Sequence, residues 1–223
     1  MIQRKKLQVL RRRGITVLEL LVIVAVLAIL AAILFPVVHR PGENAPRSAC
    51  QSNLKQIGLG IMQYTQDWNE RMPLVAVHDV SSSKLSNGQP YGWADALHLY
   101  VKSTEILQCP SQDKRRPAPR DAVQSGFCDY WFNGNLSGRE SADVAAPAQT
   151  LMCGDGNDGH DGADARYNRN VLPLHWLNMK NSPALRHIEG ANYLFVDGHV
   201  KWLAPNKIGV ASSRWHQSTF ALQ

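Results

Sequence analysis

The chain has 223 residues, enough for one ordinary domain plus a membrane segment or for one large domain. Hydrophobic residues make up 44%, an ordinary content for a folded protein. The formal charge of +6 does not mark a nucleic-acid binder, because Arg4, Lys5, Lys6, Arg11, Arg12 and Arg13 account for all of it and the chain after residue 14 carries 18 basic and 18 acidic residues. Lys114, Arg115, Arg116 and Arg120 lie among Pro117 and Pro119 and read as a solvated loop, so no nucleic acid is expected as a partner.

Residues 1–14 read as a basic leader whose charge keeps it cytoplasmic. From Leu20 to Val38, 19 consecutive residues carry no charged or polar side chain. That is close to the ~20 residues a helix needs to cross a bilayer. A core helix this apolar on all sides needs a larger protein around it. A secretory signal has a shorter apolar region and a small-residue cleavage site. Here the run ends in Leu34-Phe35-Pro36-Val37-Val38-His39-Arg40, and only Ala31-Ala32-Ile33 approaches such a site. The expectation is therefore a transmembrane and assembly helix over 15–38. Glu19, one turn into it, is costly in lipid and calls for a partner.

Pro41, Gly42 and Pro46 make 39–47 a linker or a kink. A second helix is expected from near Ser48, with Leu54, Ile57, Ile61, Tyr64 and Trp68 on one face at spacings of three and four. The strongest strand signals fall at 127–134, 149–155 and 191–203. In the last of these, two apolar alternating runs flank Asp197-Gly198, which predicts a hairpin with a two-residue loop, Val196 opposite His199 and Tyr193 opposite Trp202. The expected fold class is α+β: a long N-terminal helix, then a globular head over 48–223 in which an amphipathic helix packs on a small antiparallel sheet.

The chemistry-bearing residues are sparse. Cys50, Cys109, Cys128 and Cys153 allow three pairings. The chain layout favours Cys50–Cys109, which ties a loop back to the second helix, and Cys128–Cys153 on sequential strands. Four buried thiols are the alternative. No C-x-x-C is present, which argues against zinc, so no metal ligand is assigned. The stretch from Asp155 to Asp164 is rich in oxygen donors and glycine, which leaves Ca²⁺ as an alternative there, although the spacing is not that of an EF-hand. His187 reads either as a ligand or base, or as a histidine bonded to a neighbouring strand or turn. The second reading is preferred, because no G-x-S-x-G, H-E-x-x-H or Walker loop accompanies it. No catalytic residue is assigned and the protein is not expected to be an enzyme.

Gly14-Ile15-Thr16-Val17-Leu18-Glu19-Leu20-Leu21 resembles the cleavage and methylation signal of type IV prepilins and type II secretion pseudopilins. The resemblance implies cleavage between Gly14 and Ile15 by a prepilin peptidase, methylation of the new amine, and pairing of Glu19 with the N-terminal ammonium of a neighbouring subunit. Pro36 falls where the family often has a helix-bending proline. Ile15 departs from the commoner phenylalanine or methionine, and the 39–47 segment departs from the family's single continuous helix. The string Cys50-Gln51-Ser52-Asn53-Leu54-Lys55-Gln56-Ile57-Gly58-Leu59-Gly60 resembles a pseudopilin subfamily. So do Cys109-Pro110-Ser111 and the segment from His187 to Asp197-Gly198, which is similar to that subfamily's H-X9-DG signature. The implied protein is a structural subunit of a pilus-like or type II secretion filament. It would be single-pass in the inner membrane with its head in the periplasm or in a cell-surface filament. Its partners would be the peptidase, other pilin-like subunits, the inner-membrane assembly platform and membrane lipid. The rival is an anchored binding or hydrolytic domain that uses the signal for targeting, with Trp93, Trp131, Trp176 and Trp202 lining a polymer site.

Overall fold

The computed structural model describes residues 14, 16–38, 41–77, 91–112, 121–180, 182–209 and 218–222; over 32–38 and 41–43 it describes the backbone alone. The chain divides into two units, Met1–Pro41 and Gly42–Gln223. Residues 1–13, Ile15 and the basic residues around Pro117 lie outside the described residues.

In the first unit, helix α1 runs from Val17 to Val38. Its start is a reciprocal cap: the Thr16 backbone N–H donates to Glu19 Oε2 at 3.4 Å and the Glu19 N–H donates to Thr16 Oγ1 at 3.3 Å. This T-x-x-E box satisfies two of the amide groups that a helix N-terminus leaves without partners. Every described side chain from Val17 to Ala31 is exposed. The side chains of α1 are described over 17–31, short of a bilayer span, and among the described residues no helix is long and apolar enough to cross a membrane.

In the second unit, helix α2 spans Pro41–Asp67. It begins earlier than the expected start near Ser48, and 41–47 is helical rather than a linker. Pro41 stands at the first helical position, where a missing N–H costs nothing. Pro46 removes one amide donor within the next turn, and there the Ser48 hydroxyl donates to the Asn44 carbonyl at 2.9 Å. The helix ends where Asn69 and Glu70 turn left-handed, with φ of 51° and 60°, and the Glu70 N–H reaches back to the Thr65 carbonyl. Leu54, Ile57 and Ile61 are buried as their spacing predicts, and Cys50 extends the same stripe toward the N-terminus. Trp68 departs from it. It lies past the helix end, is 56% exposed, and stacks on Tyr64 with ring centroids 5.5 Å apart.

Seven strands follow among the described residues: β1 Tyr130–Asn133, β2 Leu151–Asp155, β3 Asn168–Arg169, β4 Ala191–Phe195, β5 Val200–Leu203, β6 Ile208–Gly209 and β7 Ser218–Thr219. Two short helices complete the elements used below, α3 Trp93–Ala96 and α4 Leu174–Asn178. The main sheet has the order β3-β1-β2-β4-β5. Its β1–β3 pair is parallel and its other pairs are antiparallel, so the fold is mixed α/β rather than built on a purely antiparallel sheet.

Both faces of this sheet are covered. Tyr130 and Phe132 of β1 and Leu194 of β4 join Leu54, Ile57 and Ile61 of α2 in one core. Trp131, Tyr193 and Phe195, the alternate residues of the same strands, join Trp176 of α4 and Phe220 in a second core. A strand packed on both faces keeps no solvent side, and every residue of Tyr130–Asn133 and Ala191–Phe195 is buried, the polar Asn133 and Asn192 included. Each fully buried Leu or Ile contributes on the order of 1.5–3 kcal/mol relative to exposure.

The last hairpin forms, in a different register from the expected one. Tyr193 lies opposite Lys201 and Asn192 opposite Trp202. The loop takes three residues, Val196, Asp197 and Gly198. The Gly198 N–H closes a turn on the Phe195 carbonyl, and the Phe195 N–H then bonds the His199 carbonyl. Gly198 has φ +83°, the left-handed position such a three-residue loop requires. Because side chains alternate, the one-residue difference exchanges the partners of every residue in the pair.

Gly154 in β2 sits between two rings. A Cβ there would lie 2.5 Å from Trp131 Cζ2 and 2.7 Å from Tyr193 Cδ1. Trp131 cannot yield easily, since its Nε1–H donates to the Asp155 carbonyl at 3.0 Å. Gly154→Ala is expected to destabilise the second unit by about 1–3 kcal/mol, read as a lower midpoint in urea unfolding with an unchanged slope.

Candidate functional site

Four residues from separate parts of the chain converge in the interior of the second unit. One ligand-type atom each from Cys50, Cys109, Asp155 and His187 lies within 4.8 Å of the others, and all four residues are buried. Cys50 is on the buried face of α2, one turn before Leu54. Cys109 follows a 3-10 turn at Thr104–Leu107, and its backbone N–H donates to Asp129 Oδ2 at 2.9 Å. Asn53 Nδ2, on the helix turn that carries Cys50, donates to the Gln108 carbonyl at 3.0 Å and draws the two cysteines together. Asp155 is the last residue of β2, and the Asn192 N–H of β4 donates to its Oδ2 at 2.6 Å.

His187 sits at the head of a tight turn into β4. Its N–H donates to the Gly190 carbonyl at 2.8 Å, while its own carbonyl accepts from Trp202 Nε1 at 2.7 Å. Between them Ile188 and Glu189 both take positive φ, 57° and 60°. For a β-branched residue this is a strained conformation, costing on the order of 1–3 kcal/mol, and it holds His187 in place. The imidazole Nε2 faces Asp155 Oδ2 at 3.3 Å and Cys109 Sγ at 3.6 Å, and Nδ1 stands 3.5 Å from Ser111 Oγ.

Burial would by itself lower the affinity of His187 for a proton. The Asp155 carboxylate and the Cys109 sulfur outweigh it and push the imidazole pKa up to about 9. The Cys109 thiol is pushed well up by its contact with Cys50 and by burial, against the pull of His187. Arg186 is a fixed cation beside Cys109, Asp155 and Asp129, and donates to the Asn157 carbonyl at 2.6 Å. Among the described residues, Asp155 Oδ1 is buried with no hydrogen-bond partner, a costly state for a carboxylate oxygen.

The sequence-derived sites distribute as follows. His187, read as a histidine bonded to a neighbouring strand or turn, faces Asp155 at the end of β2 together with Cys109 and Ser111. Asp197 and Gly198 lie apart from it in the hairpin loop, where Asp197 Oδ1 accepts from the His199 N–H at 3.1 Å and from its ring Nδ1 at 2.6 Å. The four cysteines are free and buried, so neither expected disulfide is present in the structure. Cys50 and Cys109 are nonetheless neighbours. The Cys128 thiol points to the Tyr130 carbonyl at 3.0 Å, whereas Cys153 stands opposite Phe132 in the ladder. Gly14 is exposed and Ile15 is outside the described residues. Trp93, Trp131 and Trp176 are fully buried and do not line a surface for a polymer.

The oxygen-rich stretch from Asp155 to Asp164 does not converge on a calcium-like cavity. Asp161 is bound by Arg169 and by the Tyr167 hydroxyl at 2.6 Å, Asp164 pairs with Arg166 at 2.8 Å, and Asp155 turns inward to His187. Asp158 Oδ2 accepts from Trp176 Nε1 at 3.1 Å, and its Oδ1 accepts from the backbone of His160 and Asp161. The carboxylates of Asp158, Asp161 and Asp164 are thus engaged by donors and cations of the chain.

A family model described as "Protein of unknown function (DUF1559)" matches residues 41–108, the stretch that contains α2 and Cys50. That family is associated with prepilin-type and pseudopilin-like proteins. No curated protein and no solved structure matches the chain.

Asp158 supplies a pH-dependent contribution to stability. Burial opposes its charge, but the hydrogen bonds from Trp176, the His160 amide, His175 and the Asp161 amide prevail and hold its pKa down at about 2. A depressed carboxylate stabilises the fold above its unfolded value, near 4, and that stabilisation is lost as pH falls through 2. The wild type is expected to lose on the order of 2 kcal/mol from this residue between about pH 5 and pH 2. Urea midpoints across that range are expected to fall less steeply for Asp158→Asn.

Proposed function

We propose that this chain is a prepilin-like structural subunit: α1, in a processed chain, crosses the inner membrane and packs with the helices of other copies, and the second unit is its extracytoplasmic head. The observation that carries this reading is the nature of α1. A 22-residue helix whose described side chains are all exposed, and whose sole charge is Glu19 in its first turn, belongs to a separate unit from the globular part. Such a helix needs an apolar surrounding, which lipid or like helices provide. The 19 apolar residues from Leu20 to Val38 and the family match over 41–108 support the same reading. The role is structural rather than catalytic; the one cluster of reactive side chains described above has no face on solvent to admit a substrate.

Glu19 has two separable roles here. It caps α1 through Thr16, and in an assembled filament its carboxylate pairs with the N-terminal ammonium of a neighbour, each neutralising the other in an apolar medium. Glutamine keeps the cap geometry and loses the charge. The processed chain is expected to begin at Ile15 with a methylated amine, as intact-mass analysis of the membrane-extracted protein will report. Gly14→Val is expected to retain residues 1–14. Glu19→Gln is expected to be inserted and cleaved like the wild type yet be absent from sheared filaments. Retention of residues 1–14 by the wild type, or normal incorporation of Glu19→Gln, would contradict the assembly role.

A further inference from the structure

We propose that Cys50, Cys109, Asp155 and His187 hold one zinc ion as a structural centre that locks the interior of the head. The inference stands on the geometry of the second unit and does not depend on how α1 is used.

The donor set is two sulfurs, one imidazole nitrogen and one carboxylate oxygen. Zn²⁺ accepts all three kinds, whereas Ca²⁺ and Mg²⁺ require oxygen shells. The spacing fits a tetrahedron. With Zn–S of ~2.3 Å, Zn–N of ~2.05 Å and Zn–O of ~2.1 Å, tetrahedral angles place sulfur and nitrogen about 3.6 Å apart and nitrogen and oxygen about 3.4 Å apart. The corresponding separations are 3.6 Å for Cys109 Sγ to His187 Nε2 and 3.3 Å for His187 Nε2 to Asp155 Oδ2. All four ligand atoms lie within 4.8 Å of one another, so a small contraction closes the remaining edges.

The surroundings are those of a metal ligand shell. Metal-bound histidine uses one ring nitrogen and gives its other N–H to an orienting group. His187 presents Nε2 to the cluster and Nδ1 to Ser111 Oγ. Asp155 Oδ2 is oriented by the Asn192 amide, and the other carboxylate oxygen, Oδ1, is buried without a hydrogen-bond partner among the described residues, an unbalanced charge that a cation in the cluster would offset. Charge also balances. Two thiolates, one carboxylate and a neutral imidazole around Zn²⁺ leave a single negative charge, and the Arg186 guanidinium is beside it. Binding forms two Zn–S bonds, one Zn–N bond and one Zn–O bond as three protons leave to solvent, the two S–H protons and the imidazolium Nε2–H proton, with no change of oxidation state. All four ligands are protein side chains with none facing water, so the centre is closed, as structural sites are.

The competing fate of the same two sulfurs is a Cys50–Cys109 disulfide, and one preparation separates the two. The full-length chain, extracted in detergent under reducing conditions, is stripped with chelator and titrated with Zn²⁺ or with Co²⁺ as a spectroscopic stand-in. One equivalent of metal per chain is expected, with Co²⁺ giving a thiolate-to-cobalt charge-transfer band and tetrahedral ligand-field bands. Zinc is expected to protect two of the four thiols from alkylation and to raise Tm by roughly 5 °C or more. Cys109→Ser and Asp155→Asn are expected to weaken binding at least tenfold. Cys128→Ser, which alters a buried thiol outside the cluster, is expected to bind as the wild type does. Failure of the reduced wild type to bind Zn²⁺ or Co²⁺ stoichiometrically would overturn the proposal. So would binding that Cys109→Ser leaves intact, or protein purified without reductant that carries a Cys50–Cys109 disulfide and no metal. Should the variants fail to fold, the wild-type titration alone decides.

Discussion

A carboxylate placed at the end of a central strand, out of reach of water, has to be balanced by whatever the chain can bring to it. Asp155 is such a group, and much of the second unit is arranged around the need. The first residues of β4 lie where the Asn192 amide meets its Oδ2, and the strained turn at Ile188-Glu189 delivers His187 to the same oxygen. Trp131 anchors the same residue's backbone from β1. Removing one member of a buried charged pair costs about 3–5 kcal/mol because the other is left uncompensated. The packing of β1, β2 and β4 is therefore fixed by polar chemistry at one end of the sheet as much as by its two apolar cores.

Elements that answer to a local period were legible in the sequence. The stripe Leu54, Ile57, Ile61 announced the face of α2 that packs on the sheet, and the apolar runs near 130, 151 and 193 became the three central strands. Features that depend on a neighbour were not. The Asp197-Gly198 pair marked the turn, but Val196 entered the loop as a third residue, and sequence alternation alone does not distinguish a two-residue from a three-residue connection. The sequence reading placed an amphipathic helix on the sheet, but the layer on its other side, with Trp176 and Phe220 in it, gave no local pattern to find. Pro41 and Pro46 suggested a break, yet both fall in the opening turns of a helix, where proline is tolerated far better than in its middle.

The buried cluster shows the same division more sharply. Metal-ligand motifs are recognised by short spacings, and here the four residues come from α2, the turn after residue 107, the end of β2 and the turn before β4. Their separation in the chain gave no pattern to find. Partial signals existed: Cys50 lies in phase with Leu54, Ile57 and Ile61, so its burial followed from the helical period, and Asp155 is a lone acid closing an otherwise apolar strand. Neither residue names its partners. The T-x-x-E box at Thr16–Glu19 was also present to be read, and it gives Glu19 an intramolecular occupation independent of any neighbouring subunit.

The wide separation of Cys50 from His187 carries a consequence for biogenesis. At synthesis rates of roughly 5–20 residues per second, Cys50 leaves the ribosome on the order of ten seconds or more before His187 exists. During that interval α2 has no complete sheet to pack on, because β1 and β2 are made only partway through it and β4 follows its end. The Cys50 thiol is thus open to oxidation or adduct formation in the nascent chain, while in the finished second unit it is wholly enclosed. Closure of the interior over that sulfur is a late event in folding, set by the arrival of the residues that follow Gly190.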